Sequence, residues 1–303
     1  MFKKRETPLQ NMTYIALMCA INVIFVLLTT ILPYLFLLII FLLPLTSVII
    51  YLFCKKRFFP IYAISTIALC LIFNLWRVTD TIFYVVPSIV TGFLFGVCIE
   101  RKVPVFFTIL LTTIAQVALT YASFPLIKLI VEVDTIEYFL RVFQLSEFEF
   151  KDYLPPIFIL AISSIQILFT FLIVKEEIAK LKIEVVDKDI NAWVVFGVQM
   201  SLIIFSIIFV FIYGPISLLL LGFTIYIGVY QCVLLFFKNK ILFLVSIISA
   251  VVIEFLIFGL FSQKIEKPNA YLLLLVIPLI MNIVSISNYC LENHRNKDKL
   301  NKG

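Results

Sequence analysis

The sequence is poor in charged residues and has almost no histidine. Only 14% of its 303 residues are Asp, Glu, Lys or Arg, and His294 is the single histidine. One histidine in a polar segment lacks the partners for a histidine-based metal site or a Ser-His-Asp triad. The motifs HExxH, GxSxG and GxxxxGK(S/T) are also absent. We therefore expect no enzyme activity, no metal and no cofactor, and any ATP-driven step would need other subunits.

Apolar residues are abundant instead. They make up 63% of the chain, and the mean hydropathy is +1.15. A water-soluble globule of this size could not bury that much apolar surface, so the lipid bilayer is predicted to be the main solvent. The net charge of +6 is not gathered into a basic domain interleaved with aromatic residues, so no nucleic acid partner is expected.

Ten apolar stretches are each long enough to cross a hydrocarbon core, which takes about 20 helical residues. Helices are expected because backbone amides in lipid must be satisfied within their own segment. The stretches are too uniformly apolar for the alternating strands of a barrel. The predicted spans are 14–32, 34–53, 59–76, 82–99, 104–122, 155–174, 193–213, 216–237, 241–261 and 270–290.

The basic residues predict the sidedness of these spans. With the N-terminus inside, the cytoplasmic segments carry 18 of the 24 Lys and Arg residues, as the positive-inside rule requires. The predicted fold is an all-α polytopic membrane protein with both termini in the cytoplasm. The turns at Pro33–Tyr34 and Gly214–Pro215 carry no charge, so either flanking pair could be a re-entrant hairpin or one kinked helix, which would leave eight spans.

The outer loop 123–154 is predicted to contain an amphipathic helix. Asp134, Glu137 and Arg141 recur at helical spacing opposite Ile136 and Leu140, and such a helix would lie against the membrane surface.

The end of the third span carries the strongest candidate for a solute site, formed by Asn74, Trp76, Arg77 and Asp80. Arg77 and Asp80 are three residues apart, so they could pair on one helix face or present opposite charges to a zwitterionic solute. An interfacial Trp beside a snorkelling Arg also marks an ordinary helix end.

Other polar residues lie within the spans. Gln116 and Tyr121, on the outer half of the fifth span, could line the same cavity, or Gln116 could bond a neighbouring helix. Glu254 is the carboxylate deepest in a span, where a charge costs about 2.5 to 3.5 kcal/mol on insertion scales. It could be a proton or ligand site, or a neutral acid that bonds another helix.

Two pairs of small residues each stand one turn apart. Ala16 and Ala20 on the first helix permit close approach of another helix, either within the chain or from a partner. Gly92 and Gly96 form a GxxxG motif, which predicts a tight helix contact within the monomer.

These marks stand in a characteristic order along the chain. Ala16 and Ala20 are followed by Pro44, the basic turn 55–57, the Gly92–Gly96 helix that ends in the charged residues 100–102, and an acidic loop before Tyr153–Pro156. In this order the chain resembles the YybS-like family of bacterial membrane proteins. The first part of that family, residues 12 to 175 here, is similar to the substrate-binding S components of energy-coupling factor (ECF) transporters.

The resemblance implies a six-helix module whose Ala16 and Ala20 face contacts a transmembrane coupling subunit. It also implies a solute pocket near the outer surface, framed by Arg77, Asp80 and the loop 123–154. Two features differ from the S-component pattern: the first connecting turn is only Pro33–Tyr34, and four further helices follow. The implied domains are an S-component-like module 1–175, a cytoplasmic linker 176–192, a four-helix module 193–291 and a basic tail 292–303.

Three functions are considered on this basis. The first is a substrate-binding or accessory component of small-solute transport in the bacterial plasma membrane, with transporter coupling subunits as partners. The second is a non-transporting scaffold or envelope-assembly factor that interacts through the four added helices. The third is an intramembrane enzyme acting through Glu254, but the spans offer no second carboxylate to complete such chemistry.

Overall fold

The computed structural model describes most of the chain. The described residues are 5–32, 35–132, 134–142, 154–181, 190–238, 240–261 and 274–300. The predicted Pro33–Tyr34 turn lies outside them, as do residues 182–189 of the predicted linker 176–192.

Helices account for nearly all of the described residues, and no strand occurs among them. Two 3₁₀ segments, Lys56–Phe58 and Leu75–Arg77, and a π-helical turn, Thr81–Val85, interrupt the first half of the chain. The α-helices are α1 (Pro8–Ile31), α2 (Phe36–Phe53), α3 (Phe59–Phe73), α4 (Val78–Asp80), α5 (Val86–Glu100), α6 (Val105–Val131), α7 (Thr135–Val142), α8 (Leu154–Lys180), α9 (Ala192–Val210), α10 (Gly214–Lys238), α11 (Lys240–Phe261) and α12 (Val276–Leu300).

The predicted fold class, an all-α polytopic membrane protein, is confirmed. Within the described residues, eight helical segments are long and apolar enough to cross a bilayer, and Ile39–Phe53 and Val276–Leu291 are shorter apolar helices. The prediction of ten spans counts the eight long segments and the two shorter helices together. The irregular segment Leu75–Glu100 counts as one span because its 3₁₀, α and π turns follow one another directly.

Several helices are longer than the predicted spans. The fifth span was expected to end at residue 122, but α6 continues through Pro125 to Val131. It ends where Glu132 takes a left-handed backbone conformation, with φ of 59°, and donates its backbone N–H to the carbonyl of Lys128. The loop predicted for 123–154 is therefore partly helical, and α12 likewise runs through most of the predicted tail to Leu300.

The amphipathic helix predicted for this loop corresponds to α7. Leu140 is buried on one of its faces, whereas Glu137 and Arg141 are exposed on another and form an ion pair. Asp134 precedes the helix and accepts the backbone N–H groups of Ile136 and Glu137, each at 3.2 Å. It therefore satisfies donors that the first helical turn leaves free.

The chain divides into two compact units. Unit 1 comprises residues 1–147 and 159–189, and unit 2 comprises residues 148–158 and 190–303. The main core of unit 1 is built by α1, α2, α3 and the start of α5, and its buried members are Ile15, Met18, Cys19, Val23, Val26, Ile50, Cys54, Phe58, Tyr62, Cys70, Val85 and Ile89.

The closest helix packing in unit 1 joins α2 and α5. A Cβ atom placed on Gly92 would lie 2.3 Å from the carbonyl oxygen of Pro44, and one on Gly96 would lie 2.6 Å from Cδ1 of Tyr51. The two glycines thus let the backbones of α2 and α5 approach more closely than any side chain would permit.

An ion pair joins the same two parts of unit 1 at their predicted cytoplasmic end. The Glu100 carboxylate accepts a hydrogen bond of 2.8 Å from the Tyr51 hydroxyl and lies 2.7 Å from Nζ of Lys56. The basic turn that supports the sidedness prediction is thereby tied to the end of α5.

Unit 2 packs α10 between α9 and α12, and α11 also contacts α12. An apolar cluster there contains Ile203, Leu218, Leu221 and Leu275. Ser206 and Ser217 join α9 to α10 through reciprocal hydrogen bonds, each hydroxyl donating to the other residue's carbonyl at 2.9 and 2.7 Å.

Candidate solute site

The candidate site forms where the third helix is interrupted. The helix α3 ends at Phe73, and Asn74 leaves helical geometry with φ of −123° and ψ of 43°. The buried Asn74 side chain accepts a hydrogen bond from the Thr30 hydroxyl at 3.4 Å and donates to the Arg77 carbonyl at 3.4 Å. Asn74 therefore ties the interruption to the end of α1 and positions the 3₁₀ turn that carries Arg77.

Arg77 and Asp80 form an ion pair, with 2.8 Å between Arg77 Nε and Asp80 Oδ2. The Arg77 side chain is 42% exposed, whereas that of Asp80 is only 15% exposed. The pair thus directs its positive member outward and its negative member toward the interior. The π-helical turn Thr81–Val85 follows at once, and such turns often occur at functional sites.

A small cavity lies on the inner side of Asp80. Its volume of about 10 Å³ suits about one water molecule. The walls come from three helical segments of unit 1, and they are Val26, Thr29, Ile39, Ile40, Leu43, Asp80, Tyr84 and Val85. A carboxylate thus lines a cavity whose other walls are mostly apolar.

Hydrogen bonding around Asp80 is incomplete within the described residues. Asp80 Oδ2 is buried and faces Arg77 as an ion-pair partner, but it receives no hydrogen bond of good geometry there. The buried hydroxyl of Thr81, next in the chain, also has no partner among those residues. The carboxylate can therefore accept a further donor.

Trp76 lies on the outside of the site and is 98% exposed, and its neighbours Phe73 and Leu75 are also exposed. A large indole on the surface at the end of a span is typical of the membrane interface. Trp76 therefore flanks Arg77 at the surface and does not line the cavity.

Gln116 and Tyr121 make different contacts in the structure. Gln116 is buried, and its amide donates to Oε1 of Gln166 on α8 at 3.1 Å, so it joins α6 to α8 and is not among the cavity walls. Tyr121 stacks edge-on with Phe124, with ring centroids 6.1 Å apart. Phe124 in turn contacts Phe83 of the π-helical turn at 5.4 Å, so two aromatic rings connect Tyr121 to the site.

Ala16 and Ala20 lie on the exposed face of α1. Leu17 and Ile24 are exposed beside them, whereas Ile15 and Cys19 point into the core. The pair is thus not used for packing within unit 1, in contrast to Gly92 and Gly96.

Glu254 is half-buried on α11 in unit 2, beside the exposed residues Val251 and Phe255. No hydrogen bond or ion pair involves its carboxylate within the described residues, and no group of three His, Cys, Asp or Glu side chains there could hold a metal ion.

A polar cluster at the centre of unit 1 was not predictable from the sequence. The fully buried Tyr62 hydroxyl accepts from the Asn22 amide at 2.8 Å and lies 2.8 Å from the Thr46 hydroxyl and 3.1 Å from that of Ser47. Thr46 also donates to Oδ1 of Asn22 at 2.9 Å. The sequence signal was a set of isolated polar residues in three apolar spans, which does not identify partners so far apart in the chain.

Comparison of the chain with protein-family models, with curated proteins and with solved structures finds no match.

Proposed function

We propose that this protein is a solute-binding or accessory component of small-solute transport in the bacterial plasma membrane, and that unit 1 binds the solute without hydrolysing ATP. The observation that carries the proposal is the Arg77–Asp80 pair, whose carboxylate lines a cavity at the interrupted end of a membrane span. Paired charges at such a position are expensive and are typical of solute or ion pathways.

The geometry favours a small zwitterion. A cavity for about one water molecule also suits one ammonium group, which could donate to Asp80. The solute's carboxylate would then bind the half-exposed guanidinium of Arg77, a group suited to recognising carboxylates. Binding would replace one ion pair within the protein by two with the solute, and the rest of the solute would lie toward Trp76.

A partner protein would supply the energy for transport. The exposed Ala16 and Ala20 face of α1 suits close contact with a helix of another membrane subunit, because small side chains let helix backbones approach. This assignment follows the S-component resemblance, in which the same face contacts the coupling subunit and a separate ATPase acts on the complex.

The zwitterion proposal is tested by thermal unfolding of the purified protein in nanodiscs. Glycine, alanine and β-alanine serve as zwitterions, with acetate and methylammonium as singly charged controls. At least one zwitterion should raise the melting temperature of the wild type, and Asp80→Asn should abolish the rise. Glu177→Gln, which alters a carboxylate on α8 outside the cavity and outside the loop 123–154, should retain it. Equal responses of both variants, or no response to any zwitterion in the wild type, would contradict the proposal.

A second function, a non-transporting membrane scaffold or envelope-assembly factor, is supported by one observation in unit 2. In α11, only 12% of the 18-residue apolar stretch that could cross the membrane is buried, which is the smallest buried fraction among the eight described spans. A helix this exposed offers a long apolar face to lipid or to other membrane proteins. Cross-linking from a photoreactive residue placed at position Ile248 of α11 to envelope-synthesis proteins, without any zwitterion response, would favour this function.

A further inference from the structure

We propose that unit 2 contains a second binding site, a buried amide seam between α9, α10 and α12 that holds an uncharged hydrogen-bonding molecule. The seam consists of Gln199 on α9, of Thr224, Gly228 and Gln231 on α10, and of Pro278, Asn282 and Ser285 on α12. The ligand is either water or a small neutral solute with an amide or hydroxyl group. This site is independent of the Arg77–Asp80 site.

Helical spacing places these residues on facing sides of α10 and α12. On each helix the three members follow one another at i, i+4 and i+7, which is one face of a helix. The two faces meet directly, because the Gln231 amide donates to Oδ1 of Asn282 at 2.8 Å. A Cβ atom placed on Gly228 would also lie 3.3 Å from Cβ of Pro278.

Gln199 reaches the same seam from α9. Its Nε2 donates to the carbonyls of Thr224 at 3.4 Å and Pro278 at 3.2 Å. The same nitrogen lies 3.7 Å from the position of a Cβ atom on Gly228. Gln199 therefore lies where α10 and α12 meet.

The three amides are almost completely buried but only half satisfied. Gln199, Gln231 and Asn282 are 0%, 6% and 1% exposed. Within the described residues, Oε1 of Gln199, Oε1 of Gln231 and Nδ2 of Asn282 have no hydrogen-bond partner, and neither does the Ser285 hydroxyl. Unmet polar atoms are costly in a protein interior, and more so where lipid surrounds the protein. A bound molecule that hydrogen-bonds with them would remove this cost.

The polar atoms that lack a hydrogen-bond partner also indicate that the ligand is uncharged. The two Gln oxygens need donors, whereas Asn282 Nδ2 needs an acceptor. A cation would face the Asn282 amide protons, and an anion would face the two oxygens. A neutral molecule that both donates and accepts suits both kinds of atom. Water does so, and so does a primary amide or an alcohol.

Radiolytic hydroxyl-radical labelling of the wild type in nanodiscs tests for bound water. Met281 is fully buried beside Asn282, and Met18 is a buried methionine in the core of unit 1. If the seam holds water, Met281 should be oxidised about tenfold faster than Met18, because radicals form from water at the site. The double variant Gln231→Leu/Asn282→Leu should lose this excess.

Thermal unfolding tests for a solute. Acetamide, urea and glycerol are compared with acetate and methylammonium at equal concentration, in the wild type and the double variant. Stabilisation of the wild type alone by a neutral compound would identify a solute as the ligand, whereas labelling of Met281 without such stabilisation would identify water. The proposal is overturned if wild-type Met281 is as protected as Met18 and no neutral compound stabilises the protein, or if only the ionic compounds do. If the double variant does not fold, the wild type still shows whether Met281 is labelled faster than Met18 and whether neutral compounds stabilise it more than ionic ones, and these two results decide the matter.

Discussion

The side-chain amide of Asn22 donates a 2.8 Å hydrogen bond to the hydroxyl of Tyr62, at the centre of unit 1. These residues lie on α1 and α3, and Thr46 and Ser47 of α2 complete the cluster. A buried polar network in which each member is bonded helps to select one arrangement of helices, because apolar surfaces alone pack in many ways. The cluster therefore fixes how α1, α2 and α3 are arranged, and two of these helices, α1 and α2, line much of the solute cavity.

Tyr62→Phe should destabilise unit 1 by about 1 to 3 kcal/mol, because it leaves the buried amide of Asn22 without its acceptor. The matched control is Tyr213→Phe, at a side chain that is 56% exposed, where little change is expected. Unfolding in detergent with increasing sodium dodecyl sulfate, followed by intrinsic fluorescence, measures both. Equal stability of Tyr62→Phe and the wild type would show that the cluster contributes nothing.

Gly92→Ala should also destabilise the protein, by about 1 to 3 kcal/mol, because the added methyl forces α2 and α5 apart. Its Cβ would lie 2.3 Å from the Pro44 carbonyl oxygen, which cannot move without shifting the backbone. Gly197→Ala is the control, since no atom lies within 4 Å of its added Cβ. The same unfolding assay applies, and a Gly92→Ala protein as stable as Gly197→Ala would contradict the packing.

Much of the fold followed from the sequence because the membrane imposes it. The spans depend on hydropathy, which is a local property, whereas the sidedness stays a prediction from the distribution of Lys and Arg. Helix ends were less predictable. The thickness of the bilayer predicts that the fifth span ends at residue 122, whereas α6 continues to Val131. The length of a span does not limit how far a helix extends beyond the hydrocarbon core.

The candidate site was predictable only in part. Arg77 and Asp80 are close in sequence, and their helical spacing predicted a pair that the structure contains. The cavity beside Asp80 also needs walls from α1 and α2, and the partner of Gln116 is Gln166, far away in the chain. Such contacts depend on tertiary packing, which a single sequence does not reveal.

The order of α7 should depend on pH through Asp134. The ammonium group of Lys128 and the backbone N–H of Glu137 lower the pKa of the Asp134 carboxyl. A lowered pKa means that this stabilisation is complete above the ordinary aspartate pKa of about 3.9, and is lost as the pH falls through the lower folded value. Hydrogen–deuterium exchange of residues 135–142, corrected for intrinsic rates, should therefore accelerate below about pH 4.

Asp134→Asn is the matched control for this prediction. Asparagine caps a helix about as well as aspartate, so α7 should remain protected while its dependence on pH disappears. Identical pH profiles for Asp134→Asn and the wild type would show that another group is responsible.

Ala16→Trp and Ala20→Trp should abolish co-purification of partner membrane subunits and leave expression unchanged, because an indole would hold a partner helix away from α1. The control is Ile72→Trp, which places an indole at an exposed position of α3. Quantitative mass spectrometry of crosslinked complexes measures the partners. Equal recovery of the same subunits with all three variants would remove α1 as the contact.

The central claim is that Arg77 and Asp80 bind a small solute, and the most direct measurement is mass spectrometry of the small molecules that remain with the protein purified from its native membrane. The account predicts a zwitterionic compound enriched with the wild type, and with the control Arg57→Ala at an exposed position of the basic turn 55–57. Arg77→Ala should lose it. Retention of the same compound by Arg77→Ala, in the same amount, would contradict the account.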